Sequence, residues 1–122
     1  MAAIRPRGNR STELVFAALL RNMGIRGWTL HQKSVIGTPD FYFARLRTAV
    51  FIDGCFWHGC KRCFKAPRQN ASFWAAKISK NRMRDRKVNR RLRSEGIRVL
   101  RIWEHELEKR SGKIRGLLEE LK

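Results

Sequence analysis

Short apolar runs bounded by turn residues are the feature that most constrains the fold of this chain. Three of them follow one another closely in the first half, and a fourth, IRVLRIW, lies near the end. Apolar or alternating runs between turn signals are typical of buried strands. We therefore predict four strands, over residues 28–33, 41–43, 48–52 and 97–103.

A helix is predicted before the first strand. Ser11 or Thr12 can cap its start, and Gly24 suits its end. Its apolar residues run nearly all round the helix axis. A helix with that pattern is expected to be buried on most sides.

A second, long helix is predicted between the third and fourth strands. It runs from about residue 73 to residue 95, Asn70 or Ser72 can cap its start, and Gly96 follows its end. A last helical stretch covers roughly residues 104–121.

That last stretch is expected to break at residues 111–112, which read Ser-Gly. The predicted order is αβββαβα, an α/β fold with a mixed central sheet and helices on its faces. The length of 122 residues, with no Pro/Gly-rich linker, fits a single domain over residues 1–122.

The charge balance points to the partner rather than to the fold. The chain has 28 Lys+Arg against 10 Asp+Glu, a formal net charge of +18. Its 43% of hydrophobic residues is too high for a disordered basic tail. A folded chain this basic repels itself unless an anion lies nearby, so nucleic acid is the expected partner class.

The sequence argues against a membrane partner. No apolar run approaches the roughly 18 residues that a membrane span needs. The first ten residues, MAAIRPRGNR, lack the apolar stretch of a signal peptide. The expected location is therefore the cytoplasm, in association with the nucleoid.

The basic residues are concentrated in one part of the chain. Eleven of the 28 lie between residues 77 and 101 and have few acidic partners in the sequence, which favours contact with phosphates over a merely solvated surface. Aromatic residues lie nearby and can stack on bases or pack around a metal site. The candidate DNA contacts are Phe56, Trp57, Trp74, Lys77, Lys80 and Arg84.

Two of the ten acids lie at predicted strand ends. Asp40 follows Pro39 just before the second strand, and Asp53 ends the third. Carboxylates at adjacent strand ends can converge on one Mg²⁺ ion, which binds one or two carboxylates and keeps water and phosphate oxygens as its other ligands. Alternatively, Asp40 is a turn residue and Asp53 a solvated strand end.

A third acid, Asp85, lies on the apolar stripe of the long helix. At spacings of three and four, the stripe contains Trp74, Ile78, Asn81, Asp85, Val88 and Leu92. A carboxylate that faces the core must be paired, hydrogen-bonded or near a cation. Asp85 is therefore either a site residue, the partner of Arg82 or Arg86, or hydrogen-bonded to the backbone.

Three further residues have side chains that can take part in acid–base or metal chemistry. Glu13 lies in the first turn of the first helix, where the helix dipole favours an acid. His58, in an aromatic loop, could act as a general base or metal ligand. His31 lies on a predicted strand and is expected to be structural.

The chain has an odd number of cysteines, and all three lie within nine positions: Cys55, Cys60 and Cys63. This argues against a disulfide framework. A structural zinc site needs four ligands, and His105 is the candidate for the fourth. His58, Asp53 or a redox pair of cysteines are the alternatives.

Several motifs together resemble the very short patch repair (Vsr) endonucleases. The resemblance extends from about residue 4 to about residue 107. The motifs are Gly-x-Pro-Asp-Phe at 37–41, Val-Phe-Ile-Asp-Gly-Cys-Phe-Trp-His-Gly-Cys at 50–60, Phe-Trp-x-x-Lys-Ile-x-x-Asn at 73–81, Arg-Asp-Arg at 84–86 and Arg-Val-Leu-x-x-Trp-Glu at 98–104.

This resemblance implies a restriction-endonuclease-like core, a structural zinc ion and Mg²⁺-dependent nicking of DNA beside a T:G mismatch. It makes Asp40 the metal-binding aspartate and His58 the general base. Asp85 becomes the acid that orients the catalytic histidine or the metal-bound water, and Glu13 a further active-site carboxylate.

The resemblance also implies ligands and DNA contacts. The family's zinc ligands fall on Cys55, Cys60 and His105, and on Cys63 if the loop is one residue longer here. Its mismatch-wedging aromatics fall on Phe56, Trp57 and Trp74. Where the best-known members have Thr-His, this chain has Ile52-Asp53. A metal contact at Ile52 would then be through its backbone carbonyl, and Asp53 could bind the metal directly.

The sequence therefore favours a monomeric nicking endonuclease that acts on mismatched double-stranded DNA, with downstream repair proteins as further partners. A homing or restriction-type nuclease with the same catalytic residues is the rival among enzymes. A catalytically inactive, zinc-stabilised DNA-binding module is the rival outside them.

Overall fold

The described fold is a four-stranded mixed sheet with helices on both faces. A computed structural model describes residues 10–55, 68–108 and 112–122. The strands are β1 (Trp28–Leu30), β2 (Phe41–Phe43), β3 (Thr48–Asp53) and β4 (Arg98–Trp103). The helices are α1 (Arg10–Asn22), α2 (Ala71–Ser94), α3 (Glu104–Glu108) and α4 (Gly112–Glu120). The predicted α/β class and order of elements are confirmed.

The strands lie in the sheet in the order in which they occur in the chain. β2 is antiparallel to both β1 and β3, whereas β4 is parallel to β3. The chain passes from β3 to β4 through the long helix α2. Parallel neighbours need such a crossover, because a tight hairpin can join only antiparallel strands.

β3 is buried along its whole length and separates two hydrophobic clusters. Val50 and Ile52 pack with apolar residues of α1, α3 and α4, whereas Ala49 and Phe51 pack with Leu92 of α2. Successive side chains of a strand point to opposite faces of the sheet. The alternation therefore assigns α2 to one face and the other helices to the opposite face.

The first helix is less buried than its sequence pattern predicts. Phe16, Ala17 and Leu20 are buried, but Leu14 is 60% and Val15 41% exposed. The expectation of burial on most sides is wrong because the elements packed against α1 cover one side of it. The helix also begins at Arg10, so the expected caps at residues 11 and 12 lie within its first turn.

Local conformation explains two further differences from the predicted boundaries. β1 ends at Leu30 instead of residue 33, because His31 adopts a left-handed conformation (φ 48°) that a strand cannot continue through. Asn70 precedes α2 as expected, but its backbone is also left-handed and its side chain makes no capping hydrogen bond. α2 ends before Gly96 (φ 78°), as predicted.

The C-terminal segment is divided as the sequence predicts, with α3 ending at Glu108 and α4 beginning at Gly112. Leu107, Ile114, Leu117 and Leu118 join the cluster on the α1 face. Over the described ranges, none of the helices combines the length and apolar character needed to cross a membrane.

Gly37 allows the β1–β2 connection to approach α2 closely. Its φ is 82°, and an added Cβ would lie 2.6 Å from Cγ1 of Val88, a stiff β-branched side chain. We expect Gly37→Ala to lower the free energy of unfolding by about 2–4 kcal/mol, since backbone strain and overpacking add. Urea denaturation followed by circular dichroism measures this change.

Gly116 in α4 provides the matched control, because an added Cβ there meets nothing within 4 Å. Gly116→Ala should raise stability by about 0.5–1 kcal/mol, since alanine is the better helix former. Equal effects of the two substitutions would contradict the close packing assigned to Gly37.

Candidate active site

Asp40 is a buried carboxylate at the start of β2. Only 2% of the surface of Asp40 is exposed to solvent, and the residue before it, Pro39, is fully buried. The backbone N–H of Ile52 donates a hydrogen bond of 2.7 Å to Asp40 Oδ2. The other oxygen, Oδ1, is buried and has no hydrogen-bond partner among the described residues. A buried carboxylate with one unsatisfied oxygen is well suited to bind a cation.

The surroundings of Asp40 favour its protonated form in the absence of a cation. The pKa of Asp40 is raised from 3.8 to about 7, chiefly by burial and further by the nearby Glu13 carboxylate. The hydrogen bond from Ile52 and the charge of His31 act in the opposite direction. A bound cation would favour the ionised form and lower this pKa.

Glu13 and His31 complete a group of three possible cation ligands with Asp40. His31 Nε2 lies 3.0 Å from Glu13 Oε2 and 3.9 Å from Asp40 Oδ1. The candidate ligand atoms of the three residues lie within 4.8 Å of one another. We call Glu13, His31 and Asp40 the cation group.

Three separate elements bring the cation group together. Glu13 projects from the start of α1, His31 directly follows β1, and Asp40 directly precedes β2. Leu30 pairs with Phe41 at the turn end of the two strands. The next residues toward the turn, His31 and Asp40, therefore face each other across the hairpin. The His31 backbone N–H donates to the Asp40 carbonyl oxygen at 3.2 Å.

His31 was expected to be structural, and its place in the cation group is the main difference from the sequence-based picture. The available signal was the hairpin register. Pairing β1 with β2 through the Gly37-Thr38-Pro39 turn would have placed His31 opposite Asp40. Composition and spacing along a single strand carry no such information.

Asp53 lies in a second polar cluster, centred on Arg101 of β4. Arg101 Nη1 lies 2.8 Å from Asp53 Oδ1 and 3.7 Å from Asp85 Oδ1. Arg101 Nε donates to Asn89 Oδ1 at 2.8 Å, and its guanidinium lies 4.2 Å from the centroid of the Phe51 ring. This Arg101 cluster brings together acids from β3 and α2 that the sequence singled out separately.

Strand alternation places the Arg101 cluster on the α2 face of the sheet. Phe51 and Asp53 share that face, and Phe51 is the register partner of Arg101. Asp53 is therefore outside the cation group, and its Oδ1 contacts an arginine. Direct binding of Mg²⁺ by Asp40 and Asp53 together, with the carbonyl of Ile52, stays a prediction.

The apolar stripe of α2 is positioned as predicted. Ile78, Asn81 and Leu92 are buried, and Asp85 is half-buried. Arg101 of β4 adds a cationic neighbour for Asp85 to the two that were expected, Arg82 and Arg86, with Nη1 lying 3.7 Å from Asp85 Oδ1. A partner from another element could not be read from helix spacing.

Exposed basic side chains cover the solvent side of α2. Lys77, Lys80 and Arg84 are exposed, and Arg84 Nη2 donates to Asn81 Oδ1 at 3.3 Å. Trp74 is half-buried and makes an edge-to-face contact with the exposed Phe73, with ring centroids 5.1 Å apart. These residues form a basic surface with an aromatic end.

Two of the candidate zinc ligands lie next to each other. Cys55 Sγ, just after β3, is 3.4 Å from Nδ1 of His105 in α3. Two ligands of a tetrahedral zinc ion, one sulfur and one nitrogen, lie about 3.6 Å apart. The remaining predictions in this loop fall outside the described residues: Phe56, Trp57, His58, Cys60 and Cys63.

The raised pKa of Asp40 predicts a pH-dependent stability. The folded state holds the Asp40 proton more tightly than the unfolded state does, so its contribution is fully present below about pH 4 and is lost as the pH rises towards 7. Asp40→Asn cannot ionise and keeps a hydrogen-bond acceptor for Ile52. Without added divalent cations, it should therefore gain more in melting temperature over the native protein at pH 8 than at pH 5.

Glu119→Gln is the control for removal of a negative charge, since Glu119 is exposed. Its melting temperature relative to the native protein should change little between the two pH values. A difference between Asp40→Asn and the native protein that does not vary with pH would contradict the raised pKa.

Comparison with known proteins identifies relatives of this chain. The model of the family described as DNA mismatch endonuclease Vsr matches residues 1–65. The chain is 38% identical over 109 residues to the type II nicking enzyme V.XorIIP of Xanthomonas oryzae pv. oryzae, a match that covers 88% of this chain and 78% of that protein. It is 40% identical over 106 residues to the DNA mismatch endonuclease Vsr of Escherichia coli, and this match covers 85% of this chain and 66% of that protein.

A third relative is matched over a shorter segment. The chain is 50% identical over 68 residues to the type II nicking enzyme V.NaeI of Lentzea aerocolonigenes, and the match covers 56% of this chain. It spans 41% of the length of that relative. Taken with the family match and the two longer alignments, the similarity leads to one conclusion: the chain belongs to the Vsr family of DNA mismatch endonucleases.

Proposed function

We propose that this protein is a Mg²⁺-dependent DNA endonuclease that nicks one strand beside a T:G mismatch. The observation that carries the proposal is the buried Asp40 carboxylate, whose Oδ1 has no hydrogen-bond partner in the described structure and lies beside Glu13 and His31. Membership of the Vsr family and the net charge of +18 support DNA as the substrate.

The donor set suits Mg²⁺. Asp40 offers a carboxylate oxygen in a site where a cation would offset the cost of burying its charge. Mg²⁺ binds one or two carboxylates and leaves positions for water and phosphate oxygens. Asp40 and the carbonyl of Ile52 would hold the ion, and Asp53 is a further candidate ligand if it leaves Arg101. When bound, Mg²⁺ neutralises charge on the phosphate and activates water.

The protein's own residues take the remaining roles. His58 accepts a proton from the attacking water, and Asp85 orients that histidine or the water. Glu13 is an active-site carboxylate held 3.0 Å from His31. Arg101 fixes the Asp53 and Asp85 carboxylates on the α2 face, so that these acids are oriented before DNA binds.

The basic surface of α2 is proposed to hold the DNA. Lys77, Lys80 and Arg84 are exposed and would contact phosphates. Phe56, Trp57 and Trp74 would contact bases at the mismatch, since aromatic side chains stack on or wedge between bases. The exposed Phe73 ring beside Trp74 enlarges the apolar end of this surface.

A structural zinc ion is proposed at the Cys55–His105 pair. The 3.4 Å between Cys55 Sγ and His105 Nδ1 is close to the ligand spacing of tetrahedral zinc. Cys60 and Cys63 would complete the site. This zinc would join the end of β3 to α3, two elements that are far apart in the sequence.

The wider setting of the proposal is a single restriction-endonuclease-like domain over residues 1–122, acting as a monomer in the cytoplasm on nucleoid DNA. The four-stranded mixed sheet flanked by helices is compatible with that fold. Repair proteins that act on the nicked strand would be its downstream partners.

Asp40→Asn tests the proposed reaction. It should lower Mg²⁺-dependent nicking of a T:G duplex by about 10³-fold or more, because the carboxylate that holds the ion is lost. Its affinity for the duplex should be close to that of the native protein. Gel assays of nicking and of binding at one salt concentration measure both, with Glu119→Gln as the control.

The outcomes separate the rival functions. Nicking by the Asp40→Asn variant at the native rate would contradict the assignment of Asp40. Equal cutting of matched and mismatched duplexes would favour a restriction-type nuclease. Binding of DNA with no cutting in any divalent cation would favour an inactive DNA-binding module.

Metal analysis tests the zinc proposal. The purified protein should contain roughly one zinc equivalent, and chelation should unfold it, because structural zinc sites contribute directly to folding. Cys55→Ser should reduce the bound zinc, whereas His31→Gln, which changes a histidine outside this pair, should retain it. A folded, zinc-free native protein would contradict the proposal.

A further inference from the structure

We propose that His31 is a direct ligand of the cation held at Asp40 and Glu13, and that its imidazole makes the site favour Mn²⁺ over Mg²⁺. This inference rests on the cation site of the proposed function, centred on Asp40, and adds the Glu13 carboxylate and a nitrogen donor to it. The imidazole would also determine which of the two ions, Mn²⁺ or Mg²⁺, binds more tightly.

Two distances in the cation group are compatible with ligands of one octahedral ion. With bonds of about 2.1 Å, adjacent ligands lie about 3.0 Å apart and opposite ligands about 4.2 Å apart. His31 Nε2 lies 3.0 Å from Glu13 Oε2, and 3.9 Å from Asp40 Oδ1. The candidate ligand atoms of all three side chains lie within 4.8 Å of one another, so one ion could bind them together once the side chains close around it.

A hydrogen bond alone accounts for only part of this arrangement. His31 Nε2 can interact with Glu13 at 3.0 Å, but its 3.9 Å distance from Asp40 Oδ1 is too long for a hydrogen bond. Asp40 Oδ1 therefore stays buried without a hydrogen-bond partner in the described structure. A cation satisfies this oxygen and the imidazole nitrogen together.

The backbone of His31 holds the ring at this position. Its φ of 48° is uncommon for a residue other than glycine, and its N–H is fixed to the Asp40 carbonyl across the hairpin. The His31 side chain is 48% exposed, whereas that of Asp40 is 3% exposed. The ring is thus open to solvent, whereas the carboxylate beside it is buried.

The ligand types determine the ion preference. Mg²⁺ is a hard cation that takes oxygen ligands and gives up water reluctantly. First-row transition ions also accept imidazole nitrogen, and their affinity is tuned by the donor atoms of the site. A site with two carboxylates and one imidazole should therefore gain more affinity for Mn²⁺ than for Mg²⁺ from its histidine.

The test measures metal binding by the full-length protein without DNA. Electron paramagnetic resonance of free Mn²⁺ gives the Mn²⁺ affinity, and competition with Mg²⁺ gives the Mg²⁺ affinity. His31→Gln keeps an amide that can donate to Glu13 but removes the imidazole. We expect it to weaken Mn²⁺ binding by at least about tenfold and to change Mg²⁺ binding much less.

A spectroscopic signature separates a ligand from a merely positioning residue. Bound Mn²⁺ should show a ¹⁴N coupling from the imidazole in the native protein, and His31→Gln should lose it. Thr29→Ala, which changes an exposed neighbour on β1, is the matched control and should leave both affinities and the coupling unchanged.

Three outcomes are distinguishable. Selective loss of Mn²⁺ affinity together with the ¹⁴N coupling supports the proposal. If His31→Gln changes neither affinity, or both equally, while Asp40→Asn abolishes binding of both ions, the ligand role of His31 is wrong and the proposed function stands. If Asp40→Asn leaves both ions bound, the cation site itself is wrong, and the proposed function fails with it.

Discussion

The hydrogen bond from the Ile52 backbone to the Asp40 carboxylate joins the parts of the molecule on which the site depends. It lies just beyond the last registered pair of β2 and β3, Phe41 with Val50, and continues their connection through a side chain. β3 is fully buried, so this contact fixes a carboxyl group against the hydrophobic centre of the sheet. Chemistry that needs a dry, oriented carboxylate follows from this arrangement.

The polar residues of the site form two separate groups. Glu13 and His31 reach Asp40 from the side of α1 and the hairpin, whereas Asp53 and Asp85 meet Arg101 on the α2 side. Each of these acids thus has a basic side chain within 4 Å. In a chain with so few acids, this pairing keeps the carboxylates in place while most of the positive charge faces solvent.

Patterns local in the sequence predicted most of the fold. The apolar run of β3, the alternation in β4 and the stripe on α2 identified elements whose buried residues the structure confirms. The contacts of His31 and Arg101 were not predicted, because each depends on strand register that brings distant segments together. Asp40, Glu13 and Asp85 were singled out individually, but their grouping required the sheet. The exposure of Leu14 depends on what packs against α1, which periodicity alone does not reveal.

The contact between Asp53 and Arg101 has a consequence for how this family changes over time. Both side chains are largely buried, so replacing either one would break the 2.8 Å ion pair that offsets the cost of burying the other charge. Substitutions at the two positions are therefore expected to occur together among relatives. Chains with an uncharged residue or a histidine at the end of β3 should then carry an apolar residue in place of the arginine, and each lineage would inherit the two positions as one unit.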